Sequence, residues 1–299
     1  MLDHYNRLVV VAASSIAIAV LVMVLKYLAF HITGSVALYS DAAESIVNVI
    51  TAAIALWTVW LSSQPADAQH PFGHSKAEYF SAVLEGVLIV VAAVVILHEA
   101  YGAYLNPRTL NAPIKGMAVN GIATTLNAAW SAFLVTMGRR WRSPALVADG
   151  QHLFSDVATS LGVLIGLGLV QLTGYVLLDP LMASAVALYI LWSGWHVVSD
   201  SVDSLMDRAV DDRTQTEIRE ILCREATGAI EVHELRTRGA GRIIFIEFHL
   251  VVPAMMSVGD AHVICDRLEA ALHEHVKDCS VTIHVEPEGK VHHKGVIVV

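Results

Sequence analysis

The chain has 299 residues, 55% apolar and only 16% charged, with a formal net charge of −9. Soluble domains average roughly 25% charged residues. Disorder, which needs low hydrophobicity and high net charge, is excluded, and no basic face of the kind that binds nucleic acid is indicated. The average conceals a split. Residues 1–206 hold 12 acidic and 8 basic residues, whereas the much shorter 207–299 holds 16 and 11. The chain therefore reads as a membrane domain, 1–206, followed by a soluble domain, 207–299.

Six mostly apolar stretches, at 8–31, 36–61, 80–105, 112–138, 146–172 and 178–203, each predict a spanning helix, since crossing a bilayer takes about 20 such residues. The first is too long for a signal-peptide core and contains Lys26, so it is expected to be retained. Thr33-Gly34, Pro65 with Pro71 and Gly73, Asn106-Pro107, Ser143-Pro144 and Thr173-Gly174 punctuate the breaks. One side of the membrane carries Arg7, Lys76, Arg139, Arg140, Arg142 and Arg208, the other Arg108 and Lys115. Basic loops stay in the cytoplasm, which puts both termini and the soluble domain there. Cys223, Cys265 and Cys279, all in that domain, are odd in number and lack C-x-x-C spacing, as a reducing compartment allows.

The second helix reads SDAAESIVNV and the fifth ADGQHLFSDV. Asp41, Glu44 and Asn48, and likewise Asp149, His152 and Asp156, fall at i, i+3 and i+7, on one helical face in each case. An ionised Asp near a helix centre costs about 2.5–3.5 kcal/mol on insertion scales, so four such carboxylates approach roughly 10 kcal/mol. Neither helix supplies a Lys or Arg, which leaves protons, water or bound cations to neutralise them. Glu44, Asn48, His152 and Asp156, as i and i+4 pairs on two helices, make four ligands suited to tetrahedral coordination. A water-lined polar cavity or a structural hydrogen-bond network is the alternative.

The loop after the second helix sets Asp67, His70 and His74 at i, i+3 and i+7. These form a second candidate metal site, against a polar loop with incidental histidines. In the soluble domain, 211–226 and 258–276 have helical periodicity, and 231–238, 242–252 and 280–286 read as strands, the first two joined by an Arg-Gly-Ala-Gly turn. The order α-β-β-α-β predicts a small α+β sandwich. Its histidines are numerous. His233, His249, His262 and His284, with Glu286, form a third candidate set, which spacing alone does not separate from scattered surface histidines.

These segments together resemble the cation diffusion facilitator family, the bacterial zinc, iron and manganese efflux transporters. The resemblance rests on QPAD-x-x-HPFGH-x-KAE at Gln64 to Glu78, ADGQHLFSD on the fifth helix, SLMDRA at Ser204 to Ala209, and HELRTR and IHVEP in the tail. It implies an all-α six-helix transmembrane bundle followed by a cytoplasmic metallochaperone-like α+β domain for metal sensing and dimerisation. It implies a homodimer in the bacterial inner membrane that exports divalent cations, zinc first, by alternating access, with protons as counter-ion. Glu44, Asn48, His152 and Asp156 would be the transport site, Asp67, His70 and His74 the loop site, and His233, His249, His262, His284 and Glu286 the tail site. Members usually carry Asp or His at the position of Glu44 and Asp at that of Asn48. The departure moves weight toward Mn2+ or Fe2+ and makes Asp41, one turn earlier, a substitute ligand. A membrane metal sensor that does not transport is the competing class. A metalloprotease is set aside because no H-E-x-x-H is present.

Overall fold

Six long helices run through the first part of the chain: α1 (Leu2–Thr33), α2 (Val36–Ser62), α3 (Ala77–Leu105), α4 (Ile114–Trp141), α5 (Pro144–Thr173) and α6 (Leu178–Leu205). The computed structural model describes residues 2–33, 36–105, 114–175, 177–290 and 297–298. It divides into two units, Met1–Val202 and Asp203–Val299. Among the described residues, α1, α2, α3 and α6 carry stretches long and apolar enough to cross a membrane. α4 and α5, at 28 and 30 residues, are of spanning length as well. They carry Thr124, Asn127 and Ser131, and Asp149, His152 and Asp156, all of them buried.

That burial is the organising feature of the first unit. Its interior collects hydroxyls, amides and carboxylates, while Trp57, Trp60, Val94, Ile122, Trp192 and Trp195 face outward. In lipid an apolar side chain gains little by turning inward, so helices associate through close packing and polar bonds instead. Close packing is visible between α3 and α6. A Cβ on Gly86 would lie 2.7 Å from Val198 Cγ2, and one on Gly194 2.8 Å from Ile89 Cγ2. An apolar cluster of Leu8, Ala12, Ala55, Val59, Leu134, Ala145, Leu146 and Leu153 joins α1, α2, α4 and α5.

The second unit has the opposite polarity. It comprises α7 (Asp212–Glu225), β1 (Glu231–Ala240), β2 (Ile243–Val252), α8 (Val258–His275), β3 (Cys279–Pro287) and a two-residue β4 (Ile297–Val298). The Asp211 side chain caps α7 by accepting from Thr214 N, and Ser257 caps α8 by accepting from Asp260 N. The expected order holds, with β4 added at the edge to give a mixed sheet β3-β2-β1-β4. β1 and β2 are antiparallel across a tight turn led by Gly241 at φ 57°, the glycine-first pattern of a two-residue hairpin. β2 and β3 are parallel because α8 carries the chain back across the sheet. Val232, Ile246, Phe248 and Leu250 point from one sheet face into a core completed by Ile218, Ile221, Leu222, Ile264, Leu268 and Leu272 of the two helices. The other sheet face is left for polar residues.

Candidate metal centres

In the membrane unit α2 and α5 bring Asn48, His152 and Asp156 together, each buried. Asn48 Nδ2 donates to Asp156 Oδ2 in a short hydrogen bond. His152 Nε2 lies 3.0 Å from Asn48 Oδ1. An amide oxygen only accepts, so Nε2 carries a proton in this arrangement. Imidazole, amide and carboxylate thus form a linear hydrogen-bonded chain, His152 to Asn48 to Asp156. A cation bound at His152 Nε2 would displace the proton held there. Neighbouring hydroxyls are turned away onto the helix backbone: Thr51 to Asn48 O at 3.1 Å, Ser155 to His152 O at 2.6 Å and Thr159 to Asp156 O at 2.8 Å. The side chains of Asp41 and Glu44 lie outside the described residues.

Asp149 shares a helical face with His152 and Asp156 but has a different set of partners. It accepts from Ser15 on α1 at 2.5 Å, and Trp130 on α4 donates to the same Ser15 oxygen at 3.1 Å. It therefore ties α1, α4 and α5. Glu78 does likewise at the helix ends, accepting from Ser62 of α2 at 2.7 Å and from Ser143 before α5 in a short bond. Glu85, two turns along the same face of α3, is fully buried and accepts from Ser81 at 2.8 Å. Sequence reading did not single out Glu78 and Glu85 as interior groups. Lys26, which served above only to mark the first helix as retained, is 2% exposed on α1.

The loop between α2 and α3 gathers Asp67, His70 and His74, with one ligand atom from each within 4.8 Å of the others. Local hydrogen bonds fold it this way. Asp67 Oδ1 accepts the backbone N–H groups of Gln69 at 2.8 Å and His70 at 2.7 Å, and Gly73 at φ 82° turns the chain back. His70 Nδ1 then lies 3.3 Å from Oδ1 and His74 Nε2 3.6 Å from Oδ2. The His70 backbone N–H, with that of Gln69 and the His70 side chain behind it, holds the Asp67 carboxyl below its ordinary pKa despite opposing desolvation. The carboxylate is thus charged and oriented.

The third group depends on strand register. His233, His249 and His284 sit opposite one another on β1, β2 and β3, and Glu286 is level with Val251 and Glu231 in the next row. The register shifts directly after His233, where Glu234 is left-handed at φ 49°. Such a bulge re-aims the adjoining side chains. His233, His249 and Glu286 each offer a ligand atom within 4.8 Å of the others. His233 Nε2 is 3.5 Å from Glu286 Oε2 and His249 Nδ1 is 3.4 Å from Oε1. His284 flanks them, exposed, with Nε2 3.5 Å from Glu286 Oε1. His262 is not brought to this group within one chain. It is exposed on α8 beside Asp266 at 3.6 Å, and α8 packs on the opposite face of the sheet. Two imidazoles and a carboxylate are a borderline donor set that suits zinc and its first-row neighbours.

A polar-lined helical bundle joined to a small mixed α/β domain, with imidazole–carboxylate groups in both, defines a membrane protein that handles metal cations. The family model of the cation efflux transmembrane domain matches residues 12–206, and that of the cation efflux cytoplasmic domain, a dimerisation domain, matches residues 210–288. An uncharacterised transporter of Synechocystis sp. is 42% identical over 92% of this chain and 89% of its own. The cation-efflux pump FieF of Pectobacterium atrosepticum is 35% identical over 97% of each chain. A solved structure titled for the zinc form of a putative zinc transporter, CzrB, is 44% identical and covers 29% of this chain and 98% of its own, at a TM-score of 0.28. The chain belongs to the cation diffusion facilitator family of cation-efflux proteins. It is a membrane transporter of that family and not an enzyme.

Proposed function

We propose that this protein exports a divalent metal, zinc foremost, from the cytoplasm in exchange for protons, as a homodimer in the bacterial inner membrane with both termini cytoplasmic. The observation that carries the reading is the buried His152–Asn48–Asp156 hydrogen-bond chain. It holds a proton on His152 Nε2, an atom a metal would use, inside a unit built of membrane-crossing helices. Metal and protons then compete for one place, and a change of access between the two membrane faces turns that competition into exchange. Glu44 completes the transport set, with Asp41 as its substitute. Asp67, His70 and His74 form a collecting site on the cytoplasmic side. His233, His249 and Glu286, with His284 alongside, hold a regulatory metal whose role is to cross-link strands and so stabilise one arrangement of the soluble domain. His262 joins that chemistry from its separate helix across the dimer.

Purified protein in proteoliposomes tests this directly. Zinc flux should rise with an imposed pH gradient and vanish in Asp156→Ala, while the variant stays folded. Flux indifferent to the gradient, or retained in the variant, would overturn the reading. Because Asn48 offers a neutral oxygen where the family usually has a carboxylate, Mn2+ and Fe2+ are the competing cargo. Competition flux in wild type and Asn48→Asp should move selectivity toward zinc in the variant.

A further inference from the structure

The tail group contains a residue that its ligand set leaves out. Glu231 lies two residues before His233 on the same face of β1, and its side chain is 4% exposed. A carboxylate that deep is costly unless a partner meets it. Its Oε1 lies 3.1 Å from His233 Nδ1. The other nitrogen of the same ring, Nε2, lies 3.5 Å from Glu286 Oε2. Both are ion-pair approaches rather than aligned hydrogen bonds, and each ring nitrogen has a different carboxylate beside it. Glu286 is on the side shared with His249, and Glu231 is on the side away from it. Glu231 accordingly stands outside the group whose ligand atoms lie within 4.8 Å of one another.

We propose that Glu231 is a positioning residue for the tail metal site: when metal engages Nε2 of His233, the adjacent Glu231 carboxylate turns to accept the proton kept on Nδ1. The inference rests on the reading of His233, His249 and Glu286 as metal ligands and adds a residue to it. An imidazole that donates one N–H to a carboxylate is fixed in tautomer and ring orientation and becomes a better donor through its other nitrogen. Strand geometry supplies the means. Residues two apart on a strand share a face, so Glu231 sits beside His233 and stays there whatever the loops do. Its own row continues through Val251 to Glu286, which places one carboxylate at each end and the apolar Val251 between them.

The test is Zn2+ titration of the full-length protein in detergent against a chromogenic chelator, with wild type, Glu231→Gln, Glu231→Asp and His233→Ala. His233→Ala should lose one tight equivalent of zinc. Glu231→Gln should keep every equivalent but bind that one about 10–100-fold more weakly, the range seen when such outer carboxylates are removed. Glu231→Asp, which keeps the charge, should restore part of the loss, and the melting temperature of metal-free Glu231→Gln should match wild type. Unchanged affinity in Glu231→Gln, or a lowered metal-free melting temperature, would overturn the positioning role. Complete loss of the equivalent in Glu231→Gln would make Glu231 a ligand and also overturn it. If His233→Ala retained all equivalents, the tail metal reading itself would fall.

Discussion

The membrane unit and the soluble unit solve the same problem with opposite materials. In the soluble unit the interior is apolar: Phe248, Leu250 and Ile246 against Leu222 and Leu268. In the membrane unit the interior holds Glu78, Glu85, Asp149, His152 and Asp156 beside its apolar clusters, and many large apolar side chains, the tryptophans Trp57, Trp60, Trp192 and Trp195 among them, face out. The surrounding solvent explains the inversion. Water drives apolar groups together, whereas lipid leaves polar groups to find each other. The contrast extends to the candidate metal centres. The one in the membrane unit is linked by hydrogen bonds between its own side chains, and the one in the tail is held by strand register.

Truncation at matched depth should separate the two regimes most. Phe248→Ala removes a fully buried ring from the soluble core and should destabilise that unit by about 3–5 kcal/mol, read as loss of its unfolding transition or as early proteolysis between the units. Ser143→Ala takes one of two hydroxyl donors from the buried Glu78 and should cost the bundle about 1–3 kcal/mol, seen as a lower melting temperature in detergent. Equal insensitivity of the bundle to this loss would break the idea that polar bonds hold it.

Smaller effects belong to the surface. Asp211 caps α7, and the Thr214 backbone N–H, followed by its hydroxyl, holds the carboxyl below its ordinary pKa. A depressed folded pKa means stability that is present above the unfolded value, about 3.9, and lost as pH falls through the folded one. Asp211→Ala should therefore cost about 1 kcal/mol at neutral pH, and its difference from wild type should close below about pH 4, by chemical denaturation across pH. Trp195→Ala, on the lipid-facing side of α6, should change bundle stability by less than about 0.5 kcal/mol. A loss as large as that of Phe248→Ala would mean the outward face is packed against something other than lipid.

Cysteine chemistry offers a check on the soluble unit that depends on burial alone. Cys265 is buried and Cys279 half-buried, and desolvation pushes both thiols above their ordinary pKa. Cys223 is exposed. Alkylation of the native protein followed by mass mapping should label Cys223 first and Cys265 last.

Much of this was legible along the chain. The six helices, the soluble order α-β-β-α-β and the spacing of His152 with Asp156 follow from local periodicity, which each residue shares with its near neighbours. The loop group was legible for the same reason, since Asp67 and His70 are joined by local backbone hydrogen bonds. His262 was grouped with the strand histidines because composition carries no information about which side of a sheet a helix covers. Glu78 and Glu85 were passed over, and Lys26 was not placed in the interior, because the surroundings of a charge in an apolar run are set by its neighbours on other helices. Glu231 was one acidic residue among many until its distance to His233 Nδ1 set it apart.

The sequence by itself determined the division into a membrane part and a soluble part, the elements in order, and which residue types stood at metal-ligand spacing. These are properties of periods of two and 3.6 residues and of charge density, all read within a few residues of one another. Only the tertiary structure decided that Asn48 bridges His152 and Asp156, that Asp149 turns to Ser15 instead, and that Glu231 and Glu286 address opposite nitrogens of one imidazole. Except for Glu231 and His233, neighbours on one strand face, those pairings join atoms on different helices or strands, and packing and register choose them.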